Sequence, residues 1–148
     1  MADVEEITNE EITREHVEKR IRDWRVRIED LFRQIIAWLP AGWEPVEQTQ
    51  VTMDEEMMRR FGIPSERLPV LNLKSSGGHT AKYEPRALWV IGANGRVDVF
   101  AGKSHYILVD KAPQFREPEW HFSDIRSRRD LKPLDHEAVA RMLDEAAS

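Results

Sequence analysis

The side chains in this sequence best suited to chemistry are Asp98, His105 and Asp110. An aspartate near a histidine can move protons, and a second carboxylate can help them hold a divalent cation. Asp98 stands out because it interrupts an apolar run, with Val97, Val99 and Phe100 around it. A carboxylate in such a strand must be paired, hydrogen-bonded or protonated, because burying it bare costs too much. In a structural reading, a donor from the long N-terminal helix satisfies it, with Trp24, Arg25 and Trp38 as candidates. In a catalytic reading, Asp98 is a general base or metal ligand of a metal-dependent hydrolase or nuclease. His105 then lies diagonal to it on the next strand, and Asp110 ends that strand.

The catalytic reading meets a geometric obstacle. A nuclease core of helix, antiparallel strands and helix needs an acid and a lysine two residues apart on one face. Here Asp110 and Lys111 are adjacent, so they point to opposite faces. Other signals for chemistry are weak. His121 and Asp124 have no second histidine at a close spacing, and Ser75-Ser76-Gly77-Gly78 lacks a P-loop pattern. The basic cluster Arg126, Arg128, Arg129 and Lys132 has no interleaved aromatics and reads as a solvated loop. No metal or cofactor is expected.

These residues would be positioned by an antiparallel meander. Asn94-Gly95 predicts a two-residue type I′ turn, pairing Ile91 with Asp98 and Trp89 with Phe100. Gly102-Lys103 predicts the next turn, pairing Phe100 with His105, Asp98 with Ile107 and Val99 with Tyr106. One face would carry Leu88, Val90, Val97, Val99, Tyr106 and Leu108. The other would carry Trp89, Ile91, Asp98, Phe100, His105, Ile107 and Val109. Both are apolar, so cover is expected on both sides: the long helix on one, the C-terminal helix or earlier strands on the other.

Thr13 to Leu39 predicts that long helix. Val17, Ile21, Trp24, Ile28, Leu31, Ile35 and Trp38 recur in alternating steps of four and three, a heptad seam. Thr13 is the expected N-cap, and Pro40 with Gly42 marks the stop. The second half of the apolar stripe widens to include Phe32, Ile36 and Leu39. The first half is narrow, which suits a single helical partner. Val17, Ile21 and Trp24, flanked by Arg20, Arg25 and Arg27, are therefore the expected binding surface for a protein partner of acidic character. Arginines on both flanks disfavour a homo-oligomer, since like charges would meet across the seam. The competing reading lays the whole helix on its own sheet.

Elsewhere, Trp43 to Met53 reads as extended and Asp54 as the cap of a short helix from Glu55 to Phe61. Leu68 to Lys74 and Thr80 to Tyr83 read as a hairpin, and Trp120 to Phe122 as a short edge strand. Asp135 reads as the N-cap of a C-terminal helix, with Leu134 and Val139 as its hydrophobic staple. The fold class is α+β: an antiparallel meander of about four to six strands, a long N-terminal helix and a short C-terminal one.

The chain has 148 residues, 41% of them hydrophobic, which suits one core. Residues 1–12 read as an acidic flexible segment and 13–148 as a single α+β domain. The net charge is −5, matching the five acids before Thr13, so no basic domain remains to favour nucleic acid. No apolar run reaches about 18 residues, so no membrane span is expected. Zero cysteines and an acidic start suit the cytoplasm. The resulting expectation is a non-catalytic cytosolic interaction protein, an adaptor, inhibitor or small-complex subunit docking through its first helix. The alternative is the hydrolase centred on Asp98 and His105.

Overall fold

A computed structural model describes residues 12–148. The acidic segment expected at the N-terminus lies outside these residues, apart from Ile12. Helix α1 spans Arg14–Ala37, and Thr13 caps it by accepting the His16 N–H at 3.2 Å. Strands β1 (Trp43–Pro45) and β2 (Thr49–Met53) follow, then helix α2 (Glu56–Arg60). The long strands are β3 (Glu66–Ser75), β4 (Thr80–Val90), β5 (Ala93–Ala101) and β6 (Ser104–Asp110). After them come β7 (Trp120–Asp124), a 3₁₀ turn at Ile125–Ser127, β8 (Lys132–Pro133) and helix α3 (His136–Ala146). Asp135 caps α3 by accepting the Ala138 N–H at 2.8 Å, as its position predicts.

All pairings are antiparallel, in the order β1-β3-β4-β5-β6-β7-β8, with β2 also pairing β3. The architecture is therefore α+β, with more strands than the four to six expected. The additional ones are short. Trp43 to Met53 divides into two strands, and β8 covers the side of β7 that the sequence suggested was an edge. Strand β4 runs on through Pro85, which sits at a register shift between Pro85 and Ala87. A bulge is one of the few places where a sheet tolerates proline, because no ladder donor is needed there.

Both long helices lie on one face of the sheet. Trp24 of α1 packs over Gly95, where a Cβ would lie 2.1 Å from the indole. Arg27 of α1 reaches Asp110, and Met142 of α3 meets the Tyr83 hydroxyl at 3.7 Å. Val97, Val99 and Leu108 fill the space between, all buried. Each such fully buried aliphatic side chain contributes roughly 1.5–3 kcal/mol. Of the two covers expected for the second face, the C-terminal helix is thus ruled out, since it shares the face of α1. The outer face carries Asp98, Phe100, His105, Ile107 and Val109 without a long helix over it.

The turn between β4 and β5 is also not where the sequence suggested. Ile91-Gly92 makes it, with Val90 opposite Ala93, Trp89 opposite Asn94 and Lys82 opposite Phe100. The β5–β6 pairing is as predicted: Asp98 faces Ile107, and Phe100 faces His105.

Candidate functional site

Val17, Ile21 and Trp24 are buried within the chain itself, at 1%, 4% and 1% exposure. The proposed docking seam is therefore core, and the first half of α1 is not spare. The loop after β6 helps close it over: Arg27 donates to the Arg116 carbonyl, and Lys19 sits 4.2 Å from the Phe115 ring centre. Phe115 holds φ +62, an uncommon conformation for an aromatic residue, and His16 packs edge-on against its ring.

The three flanking arginines have separate fates. Arg25 donates to the Glu66 carboxylate at 3.0 Å and to the Arg67 carbonyl. Arg27 is buried between Asp23 and Asp110. Arg20 donates to Asn94 Oδ1 at 2.8 Å, its only side-chain hydrogen bond among the described residues, and lies 5.3 Å from the Trp89 ring centre.

The expected acid pair does not converge. Asp98 and Asp110 point to opposite faces, as the sequence register implied. Asp110 accepts from Arg27 and from the backbone N–H groups of Ala112 and Glu119, at 2.9 and 2.8 Å. It holds the strand end and loop in place. Asp98 accepts from Arg96 Nε at 2.8 Å, so its partner is a neighbour on its own strand and none of the helix donors expected. His105 Nε2 lies 3.7 Å from the same carboxylate, and its ring stacks on Phe100 at 4.5 Å. Among the described residues, no three His, Asp or Glu side chains form a group able to hold a metal.

A different place has the features of a site. Between the start of α1, the β4–β5 turn and the loop after β6 runs a cleft of two adjoining cavities, about 600 and 310 Å³. Arg20, Trp89 and Gln114 line both. The larger adds Asn94, Lys111 and the backbone of the turn. The smaller adds apolar walls from Ile12, Val17 and Met57, with His16 beside them.

The cleft is polarised toward donors. Burial pushes the Arg20 guanidinium below its ordinary value, opposed by the nearby Asp23 and Glu55 carboxylates. Asn94 is buried, and its bond from Arg20 fixes Oδ1 toward the guanidinium. Its amide nitrogen, on the other arm, is buried without a hydrogen-bond partner among the described residues. An orphaned buried donor is uncommon in folded proteins and costs about 1–3 kcal/mol. Trp89 is held from behind by Glu55, whose carboxylate accepts the Leu88 and Trp89 backbone N–H groups at 2.9 and 3.1 Å. Lys111 donates to the Gly92 carbonyl at 3.0 Å, fastening the loop to the hairpin turn. Ile91 stands fully exposed at the tip.

The sequence singled out Arg20 but not Trp89, Asn94, Glu55, Lys111 or Gln114. Asn94 was assigned to a turn, and the rest carry no local signature. No family model, curated protein or solved structure matches this chain. No helix among the described residues is long and apolar enough to cross a membrane.

Proposed function

We propose that the protein is a non-catalytic interaction protein, an adaptor or small-complex subunit, that engages an anionic group of its partner in the Arg20 cleft. The reading is supported above all by Arg20, which hydrogen-bonds Asn94 and lines both cavities of the cleft. An acidic group entering there would gain charge-assisted hydrogen bonds away from bulk water. The exposed Ile91 beside the cleft offers apolar contact to the same partner. Helix α1 then contributes through the polar Arg20, while its apolar seam serves the core. A cytosolic setting belongs to this reading, on the lack of cysteine.

The alternative, hydrolysis centred on Asp98 and His105, has less support. Those two groups adjoin on the outer face, but Asp110 is committed to Arg27 on the other side of the sheet.

Chemical-shift mapping with phenylacetate and inorganic phosphate tests the proposal. The Trp89 indole and Asn94 side-chain amide resonances should move with phenylacetate, and less with phosphate. Shifts confined to the Asp98–His105 face, or none at millimolar probe, would overturn it.

A further inference from the structure

We infer that the group taken by the cleft is the free C-terminal carboxylate of a partner polypeptide whose last residue is apolar. The inference rests on the binding reading above and adds the ligand's chemical class. Three features lead to it.

The first is charge. The cleft supplies one guanidinium, that of Arg20, with the Glu55 carboxylate behind Trp89. Lys111 is engaged with Gly92. A planar, singly charged carboxylate matches a single guanidinium. A phosphate dianion would bring more charge and more acceptors than that one group satisfies. It would also lie near the Glu55 carboxylate, which accepts the Trp89 backbone N–H.

The second is division of the space. Arg20 and Trp89 stand where the two cavities join. The cavity of about 310 Å³ beyond them is walled by Ile12, Val17 and Met57, and is roomy enough for a leucine or phenylalanine side chain. The carboxylate at Arg20 would thus direct its own side chain onto apolar surface. The third is direction. The larger cavity runs from the same junction toward Gly92 and Ile91, lined partly by main chain. An extended peptide arriving past the hairpin tip would end at Arg20.

The test uses the full chain and a pool of hexapeptides ending in Leu, as free acids and as C-terminal amides. Binding is read by Trp89 indole shifts and by calorimetry. The free acids should bind at the cleft at least about tenfold more tightly than the amides, as expected for loss of a charge-assisted bond. Arg20→Lys, which keeps the charge but loses the planar fork, should erase about tenfold of the free-acid affinity. Because the acid–amide comparison leaves the protein untouched, it stands even where a variant fails to fold. Equal binding of acid and amide overturns the terminal-carboxylate inference. So does an amidated peptide with an internal Glu that binds as tightly, or phenylacetate alone matching the peptides. In each of those cases the cleft still binds, and the broader reading survives. If no probe moves the Trp89 resonance, both fail.

Discussion

Arg27 on the first helix and Asp110 at the end of β6 form a buried ion pair, with side chains 4% and 0% exposed. Asp110 also accepts two backbone N–H groups, so one carboxylate joins helix, strand and loop. Removing it would leave Arg27 an incompletely compensated charge in the interior. Asp110→Ala should therefore destabilise by roughly 3–5 kcal/mol in urea unfolding. Replacing both, Arg27→Met with Asp110→Leu, should cost clearly less than the single change. A double variant worse than the sum of its parts would show that the pair is not the main term.

The apolar seam of α1 behaves as core in a second prediction. Trp24→Ala should cost about 3–5 kcal/mol, and Ile21→Glu combined with Trp24→Glu should unfold the chain by circular dichroism. Gly95→Ala attacks the same contact from the sheet. Its methyl would collide with the Trp24 ring, and Gly95 has φ +107, so a loss of about 2–4 kcal/mol is expected. A folded, stable Glu double variant would return the seam to the surface.

Asp98 should behave differently from Asp110 despite similar local sequence. Its partner Arg96 is a neighbour on the same strand, and no long helix depends on it. Asp98→Asn should leave the fold intact and cost about 1–2 kcal/mol, the scale of one charge-assisted hydrogen bond. A loss matching that of Asp110→Ala would mean that the outer face is structurally as central as the inner one.

Alkaline pH should weaken the fold through two tyrosines. Burial, then the hydrogen bond to Glu145, pushes the Tyr106 hydroxyl up to about 12, and burial pushes Tyr83 higher still. The native state then keeps these protons at pH values where the unfolded chain, with its ordinary value of 10.0, loses them. Their contribution is complete below about pH 10 and is lost as pH rises through about 12. Unfolding followed by tyrosinate absorbance should show that fall, and Tyr106→Phe should flatten part of it. Stability constant across this range would remove the burial explanation.

Much of the fold was legible because local signals and packing agreed. Thr13 and Asp135 cap their helices as their positions suggest, and the β5–β6 register follows from Gly102-Lys103. The misreadings share a cause: a local signal used for a tertiary purpose. Asn94-Gly95 is a strong hairpin dipeptide, yet Asn94 meets Arg20, Gly95 makes room for Trp24, and the turn falls at Ile91-Gly92. The heptad spacing of α1 was read correctly, but a period says which side chains are covered and not by what. The cleft was illegible for a related reason. Its walls come from residues near 20, 55, 90 and 112, and no periodicity links them.

The register shift in β4 has a consequence for how this cleft arises. The bulge absorbs Arg86 and so keeps Leu88 in the interior and Trp89 on the cleft. Pro85 already faces Val97 and Ala87 faces Arg96, so excising Arg86 would close the ladder and leave Trp89 opposite Asn94. A one-codon deletion at the bulge would thus be expected to spare both the strand order and the aromatic side of the cleft. The ladder swallows one residue, and the aromatic wall keeps its place.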